Sequence, residues 1–253
     1  MSDASIAQRA LRCLDLTDLN DNCTDQAIDA LCKKALDPRG PVAAVCVWPQ
    51  FVKRAQENLK GSPVRIATVV NFPAGGEDVD RVVDDTKEAL SDGANEIDLV
   101  LPYSAVRRGD LTIAIEMVEA VRDLVDHGRL LKVILETGEL KDAQLIAAAS
   151  RLSIEAGADF IKTSTGKSPV SATPEAAEIM LNAIKASGRN LGLKPSGGIR
   201  TVADAKLYLE LADRIMGAGW ATPQTFRIGA SSVYDTLIAA IEGREGQAAT
   251  GAY

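Results

Sequence analysis

A strand, a helix and a second strand are predicted by residues 158–196, ADFIKTSTGKSPVSATPEAAEIMLNAIKASGRNLGLKPS. The segments ADFIKTS (158–164) and NLGLKPS (190–196) are short and rich in apolar residues, which predicts buried strands. Between them TPEAAEIMLNAIKASG (173–188) is amphipathic, with Thr173 placed to cap the first turn of a helix. Strands that alternate with helices in this way are typical of an α/β fold.

The same alternation recurs along the whole chain of 253 residues. Six further segments are predicted strands: PVAAVCVW (41–48), VRIATVV (64–70), NEIDLVLP (95–102), LLKVILET (130–137), ADRIMG (212–217) and TFRIGAS (225–231). Eight strand-helix units in about 250 residues, without a linker or a break in composition, predict one (β/α)8 TIM barrel as a single domain, residues 1–253. The alternative is a doubly wound open sheet, which usually has a glycine-rich turn where this chain has CVWPQF.

Both ends of the chain are predicted to lie outside the eight units. Residues 1–40 are expected to form a helical N-terminal extension, with helices at 4–13 and near 25–36, that covers part of the barrel rim. Residues 243–253 have the composition of a flexible C-terminal tail. The first residues lack the basic and apolar regions of a signal peptide, and no apolar run approaches the roughly 18 residues of a membrane span.

The charge and the cysteines narrow the classes of function. With 28 Lys and Arg against 35 Asp and Glu the formal charge is −7, which argues against nucleic acid or an anionic membrane as the main partner. The four cysteines have no CxxC spacing, so we expect reduced thiols and a cytoplasmic protein. The single histidine, His127, precedes a glycine at an apparent helix end, where a cation favours the helix dipole. A histidine-based metal site or Ser-His-Asp triad is therefore not expected.

Four ionisable residues interrupt otherwise apolar strands: Asp98, Lys132, Lys162 and Lys194. They are spaced by 34, 30 and 32 residues, about one strand-helix unit each, and fall on the predicted third to sixth strands. Any one of them alone is readily explained as a rim charge that reaches solvent. Four on consecutive strands are better explained by an active site, because each buried charge requires a partner.

Lysines and a carboxylate suit one kind of chemistry. A lysine that attacks a carbonyl must be neutral, whereas its reference pKa is about 10.4. Burial and a second ammonium both lower the pKa, and Lys162 beside Lys194 would have both. The resulting Schiff base is an electron sink for making or breaking a carbon–carbon bond, and Asp98 could transfer the protons. These residue types match a Schiff-base aldolase.

Three predicted strands end in glycine-rich or hydroxyl-rich turns: STGKS (164–168), PSGGIR (195–200) and IGASS (228–232). Such turns leave backbone N–H groups free, and a helix that starts near Ser231 adds its positive end. Loops after the last strands of a barrel commonly bind phosphate. With Lys167 and Arg200 adjacent, the turns predict a phosphorylated substrate.

The longest motifs resemble one known family. LDLTDLN (14–20), RIATVVNFP (65–73), EIDLVLPY (96–103), LKVILETGEL (131–140), GADFIKTSTGK (157–167), GLKPSGGIR (192–200) and RIGASS (227–232) are similar to the deoxyribose-phosphate aldolases, class I aldolases on a (β/α)8 barrel. The resemblance implies reversible conversion of 2-deoxy-D-ribose 5-phosphate to acetaldehyde and D-glyceraldehyde 3-phosphate, without metal or organic cofactor. It also implies that Lys162 forms the Schiff base, that Lys194 perturbs the Lys162 amine and takes part in proton transfer, and that Asp98 shuttles protons.

The resemblance also implies supporting roles. Lys132 would give electrostatic support, Asp15 and Thr17 would lie near the substrate hydroxyls, and Tyr253 at the chain end would reach over the barrel mouth. Phosphate would meet Gly166, Lys167, Gly197, Gly198, Gly229, Ser231 and Ser232. Members of the family are often dimers, so a homodimer is expected.

Two other functions remain open from the sequence. One is another lysine-dependent phosphosugar lyase, such as a transaldolase-like barrel. The other is a phosphosugar-binding barrel without chemistry, against which the lysines buried in strands count. Cys46, near the end of a predicted strand, is interpreted as a buried structural thiol, with a pocket-lining role as the alternative.

Overall fold

Eight parallel strands form one sheet in the computed structural model, which describes residues 2–126 and 128–244. The strands are β1 Leu14–Asp18, β2 Ala44–Val47, β3 Arg65–Val70, β4 Glu96–Val100, β5 Leu130–Ile134, β6 Phe160–Lys162, β7 Gly192–Lys194 and β8 Ile228–Ala230. Each strand from β1 to β6 pairs with the next one along the chain, and β8 pairs with β1. Two isolated bridges, Leu193 with Phe226 and Ser196 with Gly229, join β7 to β8. The predicted (β/α)8 barrel is confirmed.

Helices alternate with the strands and surround them. They are α1 Asp3–Arg12, α2 Asp25–Ala35, α3 Val52–Asn58, α4 Val79–Ser91, α5 Tyr103–Arg108, α6 Thr112–Leu124, α7 Thr137–Leu140, α8 Ala143–Glu155, α9 Pro174–Ser187, α10 Val202–Met216 and α11 Val233–Ile241. The helix predicted after Thr173 is α9, and the Thr173 hydroxyl accepts a hydrogen bond from the N–H of Ala176. None of the helices in the described part of the chain is long and apolar enough to cross a membrane.

Two strand predictions were wrong. The segment ADRIMG (212–217) is not a strand, because it forms the last turns of α10, a helix started by a capping box between Thr201 and Asp204. The first strand is instead Leu14–Asp18, inside the predicted N-terminal extension. Its sequence LDLTD lacks a continuous apolar run, since its polar side chains face the barrel interior. The four interrupting charges therefore lie on β4, β5, β6 and β7.

The N-terminal region contributes to the barrel more than predicted. Only α1 precedes the first strand, and its buried face packs against α10 and α11 through Ile6, Ala7, Ala10 and Leu11. The helix α2 connects β1 to β2 and is a regular helix of the outer layer. At the other end, all but Gly243 and Arg244 of the predicted tail, including Tyr253, lie outside the described residues, as does His127.

The barrel has a layered interior. The main apolar cluster fills the space between the strands and the helices. A second, small cluster lies within the barrel on the β2 and β3 side and consists of Leu19, Cys46, Ala67 and Val69, with Trp48 and Phe72 packed on it. The rest of the interior, along β4 to β8 and β1, carries buried charges. The barrel is thus apolar on one side of its axis and ionic on the other.

Gly192 gives a test of the packing beneath those charges. A Cβ atom at this position would lie 2.1 Å from Cε1 of Phe160, its partner in the β6–β7 register. We expect Gly192→Ala to overpack the interior and lower the free energy of unfolding by about 1–3 kcal/mol, measured by urea denaturation. Adding Phe160→Leu should restore part of the loss. An unchanged unfolding midpoint in the single variant would contradict this packing.

Candidate active site

Three lysines and one aspartate meet inside the barrel because of the strand register. Asp98 on β4 is level with Lys132 on β5, and Lys162 on β6 is level with Lys194 on β7. Alternate residues of a strand face the same side, and these four face inward. All four side chains are at most 1% exposed. The structure therefore brings together the four charges that the spacing singled out.

Asp98 is the centre of this group. Its Oδ1 accepts a hydrogen bond from Lys132 Nζ at 2.8 Å, and its Oδ2 accepts from Lys162 Nζ at 2.8 Å and from Lys194 Nζ at 2.7 Å. Burying an ammonium or a carboxylate is costly unless each finds a charged partner. One carboxylate in contact with all three amines makes their charge states interdependent. We call these four residues the Asp98 cluster.

A second set of charges surrounds the Asp98 cluster. Asp15 Oδ2 lies 2.6 Å from Lys194 Nζ, and Glu96 Oε2 lies 2.5 Å from Lys132 Nζ. The guanidinium of Arg227 joins these two carboxylates, at 2.6 Å from Asp15 Oδ1 and 2.8 Å from Glu96 Oε1. We call Asp15, Glu96 and Arg227 the outer ring.

Glu96 and Arg227 were not singled out from the sequence, although both interrupt predicted strands. Glu96 stands two residues before Asp98, and Arg227 stands two residues before Gly229. In a strand that spacing places each pair on one face. Counting back two positions in the strand from a residue already assigned to the barrel interior therefore identifies both of them.

The charges of the two groups balance when one of the four bases is neutral. Three carboxylates, Asp15, Glu96 and Asp98, face four bases. If Lys132, Lys194 and Arg227 are charged, they neutralise the carboxylates in full, and a charge on Lys162 would be surplus. Arg65 also approaches Glu96, but from the partly exposed rim, at 34% exposure.

The directions in which the pKa values shift identify Lys162 as the base that is neutral. Burial lowers the pKa of Lys162, and the nearby ammonium of Lys194 lowers it further, so that together they outweigh Asp98. Burial also opposes charge on Lys194, yet Asp15 and Asp98 hold its pKa well above the usual value. Burial likewise disfavours charge on Asp98, but the three lysines hold its pKa well below the usual range. Lys162 is therefore the amine most readily neutral at physiological pH.

Thr17 and Cys46 lie side by side on β1 and β2, above Asp15. The Thr17 hydroxyl donates to the carbonyl oxygen of Asp15 at 2.8 Å. Cys46 is fully buried among the small apolar cluster, and burial raises the pKa of its thiol. The structure agrees with a buried thiol, and Cys46 is not among the lining residues of the upper cavity described next.

A cavity of about 330 Å³ opens beside the Asp98 cluster, at the C-terminal ends of β6, β7 and β8. We call it the upper cavity. Among its lining residues are six of the seven predicted phosphate ligands, together with Arg200: Gly166, Gly197, Gly198, Gly229, Ser231 and Ser232. The seventh, Lys167, does not line it. Its ammonium lies 3.0 Å from Asp21 and over the Trp48 ring.

Gly229 joins the upper cavity to the Asp98 cluster. A Cβ atom there would lie 2.5 Å from Oγ of Ser196 and 3.0 Å from Cε of Lys194. Only glycine allows the cavity wall to pack directly on that lysine.

Glu136, at the end of β5, fixes another wall of the upper cavity. Its buried carboxylate accepts hydrogen bonds from the N–H and the hydroxyl of Thr165 and from the Ser168 hydroxyl. It therefore anchors the turn that contains Gly166. Glu136 was not identified from the sequence, because its partners Thr165 and Ser168 lie on the loop that follows the next strand, β6.

The described residues contain no group of three or more His, Cys, Asp or Glu arranged to hold a metal ion. The carboxylates that do lie close together are interleaved with the lysines and Arg227.

Comparison with known proteins identifies the family. The model of the DeoC/LacD family aldolases matches residues 9–233. The chain belongs to the DeoC/LacD aldolase family.

Relatives of this aldolase agree with the assignment. It is 52% identical over 248 residues, 98% of this chain and 96% of the relative, to a deoxyribose-phosphate aldolase of Agrobacterium fabrum. A Toxoplasma gondii structure, assigned as a deoxyribose-phosphate aldolase, superposes with a TM-score of 0.87 at 26% identity, covering 96% of this chain and 98% of that one. A tetrameric deoxyribose phosphate aldolase of Aeropyrum pernix superposes with a TM-score of 0.76 at 26% identity, covering 94% and 92%.

The outer ring gives a stability test. Arg227→Met leaves two buried carboxylates of this aldolase without their shared guanidinium, and we expect the free energy of unfolding to fall by about 3–5 kcal/mol in urea denaturation. The matched control is Arg214→Met, which removes an exposed pair with Glu178 and should cost no more than about 1 kcal/mol. Equal losses in both variants would show that Arg227 does not neutralise the cluster.

Proposed function

We propose that this aldolase reversibly cleaves 2-deoxy-D-ribose 5-phosphate to acetaldehyde and D-glyceraldehyde 3-phosphate through a Schiff base on Lys162. The observation that carries the proposal is the Asp98 cluster, in which Lys162 is the one lysine of three whose pKa is lowered. Membership of the family and the 52% identity to the Agrobacterium fabrum enzyme support the choice of substrate.

The chemistry begins with the neutral Lys162 amine. It attacks the C1 aldehyde, and the carbinolamine loses water to give an iminium ion. A base removes the proton from the C3 hydroxyl, the C2–C3 bond breaks, and its electron pair moves toward the iminium to give an enamine. D-glyceraldehyde 3-phosphate leaves. Protonation of the enamine carbon and hydrolysis then release acetaldehyde and the free amine.

The neighbouring residues supply charge and protons. Lys194 keeps its own proton between Asp15 and Asp98 and disfavours a charge on Lys162. Asp98, in contact with the amine at 2.8 Å, transfers protons during formation and hydrolysis of the Schiff base. Lys132 holds the other Asp98 oxygen and so fixes that carboxylate. Asp15 and Thr17 complete the wall near the substrate hydroxyls.

The substrate phosphate would occupy the upper cavity. Its wall is built from glycine and serine backbone, and α11 begins next to Ser232, so N–H groups and a helix N-terminus point to the same space. Arg200 adds a positive charge at the rim. The proposal assigns no phosphate contact to the Lys167 ammonium, which is engaged by Asp21.

Location and assembly complete the proposal. All four cysteines are free thiols, which supports a reducing compartment such as the cytoplasm. The tetrameric Aeropyrum pernix relative supports assembly of identical subunits, and we propose a homodimer as the smallest such form.

Borohydride trapping tests the Schiff base directly. Incubation with acetaldehyde or deoxyribose 5-phosphate, followed by reduction, digestion and mass spectrometry, should place the adduct on Lys162. Lys162→Ala should abolish it, whereas Lys167→Ala, which removes a lysine outside the cluster, should not. A folded protein that binds the phosphosugar without forming an adduct would instead be a binding barrel. An adduct on Lys132 or Lys194 would overturn the assignment of roles.

The pH dependence of trapping tests the role of Lys194. Because the folded-state pKa of Lys162 is lowered, the trapping rate should rise with pH and level off below the usual lysine range. Removing the neighbouring ammonium in Lys194→Met should raise the Lys162 pKa and shift the profile to higher pH. Lys167→Met should leave the profile in place. A shift to lower pH in Lys194→Met would contradict the proposal.

The phosphate assignment predicts a selective defect. Ser231→Asp places a carboxylate on the wall of the upper cavity and should raise KM for deoxyribose 5-phosphate by about tenfold or more, since like charges repel at close range. Trapping with acetaldehyde, which has no phosphate, should proceed at an unchanged rate. If acetaldehyde trapping falls equally, Ser231 affects the chemistry and not the phosphate.

A further inference from the structure

A second and larger cavity lies at the opposite end of the barrel. Its volume is about 1,100 Å³, and its wall comes from segments that immediately precede strands, including Ala43, Arg129 and Asp159. We call it the lower cavity. It is separated from the upper cavity by the barrel interior and takes no part in the proposed reaction. Six arginines line it: Arg12, Arg65, Arg122, Arg129, Arg189 and Arg227.

The lower cavity is positively charged on an acidic protein. Its lining contains three acidic residues, Asp123, Asp126 and Asp159, against the six arginines, a formal surplus of three positive charges. The whole chain has a formal charge of −7. Concentration of positive charge in one concave region raises the local potential and attracts anions.

Among the described residues, three of the six guanidiniums make no hydrogen bond to a carboxylate. Arg122 is held by Asp159 at 2.7 Å, and Arg65 and Arg227 are held by Glu96. In the described part of the chain, by contrast, Arg12 has no carboxylate within 4 Å. Arg129 lies 3.6 Å from Asp126, beyond hydrogen-bond reach, and Arg189 donates from one nitrogen to the carbonyl of Ile154.

The remaining lining determines the kind of ligand. Pro41, Pro63 and Pro223 form rigid parts of the wall, and proline has no N–H to offer. The cationic side chains of the lining are all arginines, whose planar guanidinium donors match carboxylate and phosphate oxygens. We propose that the lower cavity binds a small polyanion, one that carries phosphate groups or several carboxylates.

The lower cavity is also in contact with the charges around the active site. Arg65 and Arg227 line it and at the same time bind Glu96, which lies 2.5 Å from the Lys132 ammonium. A polyanion in the cavity is thus separated from the Asp98 cluster by a short series of ion pairs. Glu96 and Asp15 both connect Arg227 to the Asp98 cluster.

Isothermal titration calorimetry on the full chain at low ionic strength tests the proposal. The two probes are pyrophosphate and propane-1,2,3-tricarboxylate, and the one that binds more tightly identifies the preferred anion. Because the upper cavity can also hold phosphate, we expect a saturable site that remains in Ser231→Asp. Arg12→Gln/Arg189→Gln should weaken binding by about tenfold or more, because it removes two charged donors to the anion.

The matched control is Arg81→Gln/Arg214→Gln. It removes the same total charge from two exposed arginines, 77% and 65% accessible, that do not line the cavity. Its affinity should stay within about twofold of the unchanged chain, since exposed ion pairs contribute little. Three results would overturn the proposal: no binding of either probe, equal weakening in both double variants, or loss of binding in Ser231→Asp alone, which would place the anion in the upper cavity.

Discussion

A buried carboxylate that serves three amines is the constraint on which this molecule depends. Asp98 can be ionised inside the barrel only because Lys132, Lys162 and Lys194 reach it, and they reach it only because four consecutive strands are in register. Each added charge then requires compensation, which Glu96 and Arg227 supply. Once those demands are met, one amine remains whose charge is unnecessary. The reactivity proposed for Lys162 is a product of electrostatic balance rather than of any single neighbour.

The fold separates binding from chemistry. The reacting groups stand on strands, where the sheet fixes their positions, whereas the upper cavity is built from the loops that follow β6, β7 and β8. Glu136 and Gly229 connect the two regions, one by anchoring a loop and the other by letting the cavity wall touch Lys194. Across the barrel, the apolar cluster around Cys46 and Val69 offers no competing charge.

Much of this was predictable from the sequence, for reasons that also explain the errors. Lys132, Lys162 and Lys194 were recognised because each is a charge within an apolar strand, repeated at the length of one strand-helix unit. The segment LDLTD was missed as a strand because Asp15 and Thr17 face inward, so the usual apolar signal is lost where function places polar groups. ADRIMG was misassigned because its few apolar residues continue a helical face. The direction of the Lys167 side chain depends on Asp21, far away in sequence, which no local pattern reveals.

The barrel closes between β7 and β8. Two isolated bridges close the barrel there, and the upper cavity spans the same join, with Gly197 and Gly198 on one side and Gly229 and Ser231 on the other. A phosphate held in that cavity would contact both margins at once. Its binding free energy would then add to the cohesion of the barrel itself, because a ligand that binds only the closed form stabilises that form. Binding of the substrate phosphate would therefore stabilise the closure of the barrel between β7 and β8.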